Sequence, residues 1–393
     1  MHVCGIIAEY DPFHTGHARQ ISAVRETLGD DCAVVCVMSG NWTQRGSPAI
    51  VNKHLRTRLA LLGGADLVLE LPLPYAISSA EWFARGGVST LNSTGVVTHI
   101  CFGSECGDVT VLKQAADCLD SDAYKQELRI YLDKGLSYPV ARQNAATRII
   151  GDAADCLSLP NNNLGVEYLR ALTWCSSNIT PITVLRQGAG HGEDPKGGYS
   201  SATYLRQLIK EGRINDAQPY FIPQEGKLLA DTETADPLLA ERAFLHRLRC
   251  MTEENLSSLP DCGEGLSHRL YQAIRQSSST EDILSLVKTK RYTHARLRRI
   301  LTWAYLGLSI SDRPEMPPYI RVLGMNETGR GLLRDMSNVS DLPILTKPAH
   351  VRRMSVDAQK LFDLESRATD LYGLCLPTPP ACGTEWTRSP EIM

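Results

Sequence analysis

Short runs of apolar residues alternate with helical patterns through the first half of the chain, and this alternation limits the possible folds more than any other feature. The apolar runs predict strands at 3–8, 32–38, 67–71, 97–102 and 182–185. Apolar spacing predicts helices after His17 and at 52–62, 79–91, 109–150, 163–174 and 201–210. Strands that are apolar on both faces indicate a parallel sheet covered by helices on both sides. The sequence therefore predicts an α/β, Rossmann-like fold, in which ligands bind beyond the carboxyl ends of the strands.

The second half of the chain lacks this alternation. Leucine, isoleucine and aromatic residues recur at helical spacing in 237–252, 265–276, 280–287 and 294–307. A turn-rich break at 313–318 and a compact segment at 319–324 come before a further helix. Because 393 residues are enough for two domains, we expect an α/β domain at 1–212, a mainly helical domain at 213–376 and a loosely ordered tail at 377–393.

Charge and composition narrow the possible partners. A formal net charge of -3 gives no general attraction for polyanions, so a nucleic-acid site has to be a local basic patch. The sequence has no signal-peptide pattern, and no window approaches the roughly 20 apolar residues of a membrane span. We therefore expect a cytoplasmic protein without membrane contact. The 12 cysteines include no CxxC pair, so we expect buried thiols and no structural metal.

The sharpest local feature is the run Asp11-Pro12-Phe13-His14-Thr15-Gly16-His17, between the first predicted strand and helix. Helix N-terminal amides and the helix dipole favour a phosphate there, and Gly16 lets the backbone approach it closely. Two imidazoles three residues apart can donate hydrogen bonds to charge developing at an attacked phosphorus. The alternative is a pair of polar histidines in an ordinary loop. The order strand, loop, HxGH and helix favours a nucleotidyl-transfer site with His14 and His17 as catalytic residues.

Two further groups of residues could complete a phosphate site. Ser201 can cap the helix at 201–210, Thr203 adds a hydroxyl, and Arg206 lies one turn further along. The alternative is a plain cap with a solvated arginine. Gly103 and Arg186 each follow a strand end, whereas Asn161 precedes a helix and could simply cap it.

A basic segment at 288–299 (KTKRYTHARLRR) carries six formal positive charges and no acid. It predicts an RNA-backbone site, although such a run is more often a solvated helix face. The residues expected to contact RNA are Lys288, Lys290, Arg291, Arg296, Arg298 and Arg299, with Arg45 and Lys53 from the loop and helix after the second strand. We expect Arg296 and Arg299 to face solvent on one side of a helix. Glu70 interrupts an apolar strand and is expected to be a buried, paired carboxylate.

These motifs together resemble one family, the bacterial tRNA(Met) cytidine acetate ligases of the HIGH nucleotidyltransferase superfamily. The resemblance extends from residue 3 to about residue 350 and includes EYDPFHTGH at 9–17, MSGNWTQRGSPA at 38–49, GADLVLELP at 64–72 and SAEWFARG at 79–86. The elements FGSE, PNN, RxGAG, SATxxR and RVLG are present as well. Asp11 and Thr15 stand where the family usually has asparagine.

The resemblance implies a two-step reaction. Acetate attacks the α-phosphorus of ATP and releases pyrophosphate; the exocyclic amine of the wobble cytidine of elongator tRNA(Met) then attacks the resulting acetyl-adenylate. A Mg²⁺ ion bridging the phosphates is expected on chemical grounds. The residues expected at the ATP site are Ile7, Ala8, Glu9, Tyr10, Asp11, Pro12, Phe13, His14, Thr15, Gly16, His17, Ala18, Arg19, Gln20, Gly103, Asn161, Arg186, Ser201, Thr203 and Arg206.

Two other functions are compatible with parts of the sequence. A small-molecule adenylyltransferase would share the HxGH and SATxxR elements, but would not need about 180 further residues or the basic segment. A non-catalytic RNA-binding protein could retain the same scaffold, but intact His14, His17 and Arg206 argue against that. An aminoacyl-tRNA synthetase is disfavoured because the sequence has no KMSKS-like loop.

Overall fold

The computed structural model describes residues 1–186, 199–263, 265–289 and 292–393. The strands in these residues are β1 (Val3–Ala8), β2 (Ala33–Ser39), β3 (Trp42–Thr43), β4 (Ser47–Pro48), β5 (Leu67–Leu71), β6 (His99–Ser104), β7 (Thr180–Leu185), β8 (Ile320–Met325), β9 (Ile344–Leu345) and β10 (Glu391–Ile392). The five strands predicted from the first half correspond to β1, β2, β5, β6 and β7, with ends that agree within two residues.

The main sheet has the strand order β10-β8-β5-β2-β1-β6-β7, with β9 beside β8. The strands β5, β2, β1, β6 and β7 run parallel to their neighbours, which confirms the predicted α/β class. Their carboxyl ends therefore meet at one edge of the sheet, and β1, which leads into the HxGH loop, lies centrally among them.

Helices cover both faces of this sheet and make up most of the second half. They are α1 (Thr15–Leu28), α2 (Lys53–Leu62), α3 (Leu73–Ala76), α4 (Ala80–Asn92), α5 (Val109–Asp120), α6 (Asp122–Asp133), α7 (Tyr138–Ile150), α8 (Pro160–Trp174), α9 (Ala202–Lys210), α10 (Ile214–Ala217), α11 (Glu225–Ala230), α12 (Glu241–Arg249), α13 (Glu253–Ser257), α14 (Leu266–Gln276), α15 (Thr280–Val287), α16 (His294–Leu306), α17 (Glu327–Val339), α18 (Val356–Gly373) and α19 (Thr384–Thr387). Among the described residues, none of these helices combines the length and the apolar character that a membrane crossing requires.

The side chains of β2 show how the sheet is buried on both faces. Ala33, Val35 and Val37 pack into the core beneath α4, α5 and α8. Val34, Cys36 and Met38 point to the opposite face and pack into the core beneath α1, α2 and α9. Because strand side chains alternate in direction, only a run apolar at every position can fill both cores.

The second half of the chain differs from the expected separate helical domain in one respect. Its strand β8 joins the main sheet and runs antiparallel to β5. The helices from α12 to α16 form a core of their own, yet this core includes Trp42 and Leu73 from the first half. The indole of Trp42 donates to the carbonyl of Ala368 at 3.0 Å. The boundary at residue 212 therefore stays a prediction, and the sheet itself extends across it.

The tail after residue 376 also differs from expectation. It was expected to be loosely ordered, but β10 pairs with β8 and the ring of Trp386 packs edge-on against Phe362, with centroids 4.6 Å apart. Glu385 is 1% exposed. A strand pairing and a buried carboxylate fix the tail, and neither produces a periodic pattern in so short a segment.

Glu385 belongs to a buried cluster of charges that joins distant parts of the chain. Lys53 lies 2.6 Å from Glu70 and 2.8 Å from Glu385. Arg321 pairs with Glu70 at 3.3 Å, with Glu365 at 3.8 Å and with Glu385. Burial raises the pKa of Glu365 to about 7, whereas Lys53 and Arg321 outweigh the burial of Glu385 and hold its pKa well below the usual range.

This cluster confirms that Glu70 is a buried, paired carboxylate and overturns the expectation for Lys53. The Lys53 side chain is only 1% exposed and both of its ion-pair partners are buried, so it is not available to an RNA phosphate. The lysine contributes to the fold by neutralising carboxylates that would be costly to bury alone.

A second buried carboxyl group makes the stability depend on pH in an identifiable way. Glu225 is fully buried, and burial raises the pKa of its carboxyl from 4.5 to about 8. One oxygen accepts from the amide of Ile222 at 3.0 Å, and the other has no partner among the described residues. Between these two pKa values the folded state binds the proton more tightly than the unfolded state, so this contribution to stability is lost as the pH rises from 4.5 towards 8.

We expect Glu225→Gln to remove that pH dependence. Relative to the wild type, the variant should gain about 2–3 kcal/mol in the free energy of unfolding between pH 5 and pH 7.5. Urea titrations of both proteins at the two pH values measure this difference. Parallel stability curves for the two proteins would mean that Glu225 keeps an ordinary pKa in the folded protein.

Candidate active site

The HxGH loop and α1 hold the two predicted catalytic histidines face to face. His14 is the N-cap of α1, and its Nδ1 accepts from the amide of Gly16 at 3.0 Å. An accepting Nδ1 places the ring proton on Nε2, which leaves Nε2–H as a donor for a ligand. The ring of His17 stacks on that of His14, with centroids 3.8 Å apart and planes 29° apart. The two imidazoles therefore act as one unit at the start of the helix.

Both histidines are neutral at physiological pH. Burial, together with the positive charges of Arg186 and Arg206, lowers the pKa of His14 to about 3. Burial, followed by the charges of His14 and Arg186, holds the pKa of His17 well below 6.5. Neutral imidazoles donate hydrogen bonds to phosphate oxygens without any proton transfer.

Two polar atoms of this loop are available to a ligand. Among the described residues, neither Nδ1 of His17 nor the hydroxyl of Thr15 has a hydrogen-bond partner, although both are buried. Buried polar atoms are rarely left unpaired, so this location is suited to a polar ligand. Gly16 keeps the space open, because an added Cβ would lie 2.8 Å from the Cε1 atom of the His14 ring.

Arg206 reaches the HxGH loop from α9. Its guanidinium donates to the carbonyl of Asp11 at 2.6 Å and to the hydroxyl of Thr203 at 3.1 Å, and it lies 3.5 Å from the Asp11 carboxylate. The same carboxylate accepts from the amide of Ile50 at 2.7 Å. Arg206 is thus fixed beside the histidines, as the SATxxR element predicts.

Ser201 caps the helix, as both interpretations of the SATxxR element expect. Its hydroxyl accepts from the amide of Tyr204 at 3.2 Å and caps α9. The hydroxyl is therefore already used within the protein, and the residue contributes to the site by fixing the helix that carries Thr203 and Arg206.

A further side of the site, beyond the HxGH loop and α9, is formed by Gly103, Asn161 and Arg186. Arg186 donates to the side-chain oxygen of Asn161 at 2.8 Å. The Arg186 stem passes over Gly103, where an added Cβ would lie 3.1 Å from it. The elements that end β6, begin α8 and end β7 therefore meet at the carboxyl edge of the sheet. The segment 187–190, which completes the RxGAG element, lies outside the described residues.

Glu105 organises this group of residues; the FGSE motif was a candidate for function, but only Gly103 of it was expected at the ATP site. Its carboxylate accepts from the side-chain amide of Asn161 at 2.6 Å and from the backbone amides of Asn161 and Asn162, at 3.2 Å and 2.8 Å. The side-chain oxygen of Asn162 in turn accepts a hydrogen bond from the backbone amide of Glu105 at 2.8 Å. The FGSE motif marks Glu105 in the sequence, but its role in fixing Asn161 and Arg186 depends on contacts 56 residues apart.

Arg56, which could have faced a polyanion together with Lys53 but was not expected to contact ATP, ties the loops after β1 and β2 together. It is fully buried and donates to the carbonyls of Glu9 at 2.6 Å and Ser39 at 3.1 Å, and to that of Gly40. The Glu9 carboxylate in turn accepts from the amide of Gln44 at 2.6 Å. A single arginine thus fixes the HxGH loop relative to the loop that carries Arg45.

The remaining members of the expected ATP set have varied positions. Ile7 and Ala8 belong to β1, while Tyr10, Pro12 and Phe13 are buried beneath the loop. Ala18 is half-buried on the first turns of α1, and Gln20 donates to the carbonyl of Cys101 at 3.3 Å. Arg19 is exposed and pairs with Glu26 at 2.6 Å. These residues shape the loop or lie beside it, and their contact with a ligand stays a prediction.

The expected RNA residues fall into two groups. Arg45, Lys288 and Arg298 are exposed. Arg296 and Arg299, expected to face solvent, are only half-exposed. Both are bonded to Asp261: Arg296 donates to its carbonyl at 2.6 Å and Arg299 lies 3.6 Å from its carboxylate. Lys290 and Arg291 lie outside the described residues.

The loop that carries Arg45 packs directly on the basic helix α16. Gly46 has a φ of +71°, and an added Cβ there would collide with the backbone of Arg298 and Arg299. The hydroxyl of Thr302 donates to the carbonyl of Gly46 at 3.0 Å. Through Arg56 and Gln44, the same loop contacts the HxGH loop. The loop that carries Arg45 therefore lies between the basic helix and the loop that carries the histidines.

Comparison with known proteins decides the family. A family model described as HIGH Nucleotidyl Transferase matches residues 1–384. The chain is 41% identical to a tRNA(Met) cytidine acetate ligase of Caldicellulosiruptor saccharolyticus, over 95% of this chain and 94% of that one. It is 37% identical to the protein of that name from Acetivibrio thermocellus, over the full length of both. The chain belongs to the tRNA(Met) cytidine acetate ligase family.

A solved structure agrees with this assignment. The crystal structure of Thermotoga maritima TmcAL bound with alpha-thio ATP superposes with a TM-score of 0.92 at 32% identity, covering 100% of this chain and 99% of that one. At this identity and coverage, family members share the fold over its whole length. The family resemblance predicted from the sequence is thereby confirmed.

Proposed function

We propose that this chain condenses acetate with ATP to form acetyl-adenylate and transfers the acetyl group to the exocyclic amine of the wobble cytidine of elongator tRNA(Met). The observation that carries the proposal is the stacked pair of neutral histidines at the N-terminus of α1, flanked by Arg186 and Arg206. The two relatives known as tRNA(Met) cytidine acetate ligases support the choice of tRNA. The alpha-thio ATP bound to the Thermotoga maritima protein supports the choice of ATP.

The first step needs only positioning and charge stabilisation from the protein. An acetate oxygen attacks the α-phosphorus, the bond to the bridging oxygen breaks, and pyrophosphate leaves. The Nε2–H of His14 and the adjacent His17 ring donate to the phosphate oxygens where negative charge increases. Arg206, which reaches the HxGH loop from α9, binds the β- and γ-phosphates that leave as pyrophosphate.

Mg²⁺ would accompany the triphosphate in this site. Among the described residues, no group of three or more His, Cys, Asp or Glu side chains could hold a metal ion, and the Asp11 carboxylate is already bonded to the Ile50 amide and faces Arg206. Mg²⁺ is commonly held by phosphate oxygens and water with few protein ligands, which fits these residues. When bound, the ion neutralises charge on the leaving pyrophosphate.

In the second step the cytidine amine attacks the acetyl carbonyl and AMP leaves. RNA has to reach the carboxyl edge of the sheet. Arg45 is exposed on the loop that contacts the HxGH loop, and Arg298 is exposed on the helix against which that loop packs. Together with Lys288 they can contact the phosphates near the wobble nucleotide. Arg296 and Arg299 can contribute only donors that Asp261 leaves available. We expect the reaction to take place in the cytoplasm, where tRNA is found.

The direct test is to supply labelled ATP and labelled acetate, with and without bulk tRNA. We expect acetate-dependent exchange of pyrophosphate into ATP without RNA, and release of AMP with acid-labile acetyl on RNA when tRNA is added. Pyrophosphate exchange that depends on a small metabolite instead of acetate would indicate a small-molecule adenylyltransferase. No exchange with either would indicate a non-catalytic scaffold.

Arg206→Ala separates the ATP site from the RNA site. Loss of a charge-assisted contact to phosphate should raise the Kd for ATP about tenfold to a hundredfold, while the Kd for tRNA changes less than twofold. Equilibrium binding of each ligand measures this, with Arg206→Lys as the control that retains charge and recovers part of the ATP affinity. Equal weakening of both ligands would contradict a phosphate-binding role.

A further inference from the structure

A second group of basic residues lies outside the basic segment that the sequence emphasises. We define the basic loop surface as Lys347, His350, Arg352 and Arg353, from the loop before α18, with Arg388 from the tail. The stretch 346–355 contains these four residues and no aspartate or glutamate. In a chain of net charge -3, such a stretch creates a local positive potential.

The five side chains of the basic loop surface are accessible. All five residues are exposed, and none of the ion pairs among the described residues involves them. In the predicted RNA helix, by contrast, Arg299 is paired with the Asp261 carboxylate and Arg296 donates to the Asp261 carbonyl. The basic loop surface therefore has more uncompensated positive charge than the described part of the segment at 288–299.

The backbone beneath this surface is held in place. Val351, between His350 and Arg352, is 1% exposed and packs with Tyr319 and Phe362. The Arg352 guanidinium lies over the ring of Trp386, 5.2 Å from its centroid. Ordered cations lose little conformational freedom when they bind a charged partner, which favours affinity.

The tail lies next to the loop, so Arg388 joins the three cations and the histidine of the loop. Pro348, which follows Lys347, lines one small cavity with Arg388. The tail that brings Arg388 here is the segment fixed by Glu385 and β10. The contribution of Arg388 to the surface therefore depends on a folded tail.

The position of this surface relative to the histidines suits a large ligand. The loop leaves β9, which pairs with β8 at Ile320 and Arg321. In the sheet, β8 is three strand spacings from β1, about 14 Å. Arg321 pairs with Glu70 near the carboxyl end of β5, so β9 begins close to the edge to which β1 delivers the HxGH motif. Because β9 runs parallel to β8 and β8 antiparallel to β5, the loop leaves β9 in the direction away from that edge. A ligand that reaches both places has to span well over 14 Å, as a nucleic-acid stem does.

We propose that the basic loop surface binds the sugar-phosphate backbone of the tRNA outside the loop that holds the reacting cytidine. This inference rests on the proposed function, which supplies a polyanionic substrate larger than the catalytic edge. Phosphates along a stem are spaced to contact several cations, and each contact releases counterions. The surface would select for an intact tRNA over an isolated anticodon stem-loop.

The test is the double variant K347E/R353E, which leaves the stacked Arg352 and its packing intact. The matched control is K113E/R129E, two exposed cations on α5 and α6, of which α5 contacts β7 at the opposite edge of the sheet. Both variants change the net charge by the same amount. Binding of full-length tRNA and of an anticodon stem-loop is measured over about 50–200 mM salt, alongside acetate-dependent pyrophosphate exchange.

We expect K347E/R353E to raise the Kd for full-length tRNA about tenfold and to reduce the salt slope by one to two, with stem-loop binding and pyrophosphate exchange unchanged. The milder K347Q/R353Q should reduce the slope in the same direction, which guards against a folding defect. Wild-type binding by both variants, or equal losses in the control, would overturn the inference. A wild-type protein that binds no tRNA at any salt concentration would instead refute the proposed function.

Discussion

His17→Ala should lower the rate of acetyl-adenylate formation by about a hundredfold or more, the usual effect of losing one donor to transition-state charge. The melting temperature should fall only modestly, because the Nδ1 atom of His17 has no hydrogen-bond partner among the described residues and the substitution removes only the ring contacts with Tyr10, Phe13 and His14. Pyrophosphate exchange at saturating ATP and acetate, together with a thermal melt, measures both quantities.

His17 is a cleaner target than His14. The His14 ring also accepts from the amide of Gly16 and caps α1, so its removal would cost stability as well as activity. His17→Gln keeps a neutral donor and should retain more activity than His17→Ala. If His17→Ala exchanges pyrophosphate at a rate near that of the wild type, the histidine pair does not stabilise the transition state.

The strands of the first half could be predicted because each satisfies a local rule. Residues 3–8 and 67–71 are apolar at nearly every position, which only a strand buried on both faces requires, and the structure places β1 and β5 there. The pairing of β8 with β5, about 250 residues away in sequence, leaves no such local pattern. The strand Glu391–Ile392 is still shorter, and only its partner makes it a strand.

The residues of the candidate site could likewise be predicted only where a local motif marks them. The HxGH and SATxxR motifs identify His14, His17 and Arg206 because motif and local structure coincide. Glu105 and Arg56 act through backbone groups that are distant in sequence, and a residue type alone does not specify such a partner. A run of basic residues likewise does not reveal which cations are paired, and the prediction that Arg299 faces solvent was wrong for that reason.

Lys53 tests whether a basic residue binds RNA or stabilises the fold. Its charge predicted an RNA contact, whereas its buried position indicates a structural role. Lys53→Met should reduce the free energy of unfolding by about 3–5 kcal/mol, the cost of breaking a buried ion pair by removing one partner. Glu70 and Glu385 would stay buried with only Arg321 to compensate them, so the tail and the start of α2 would both be destabilised.

Arg298→Met is the matched control, since Arg298 is exposed on α16 and was expected to contact the same RNA. Its loss should leave the unfolding free energy within about 0.5 kcal/mol and weaken tRNA binding. Lys53→Met should do the reverse: urea titration should show a large loss of stability, while the folded fraction binds tRNA as the wild type does. Normal stability combined with weakened tRNA binding in Lys53→Met would mean that the lysine leaves its carboxylates to meet the RNA.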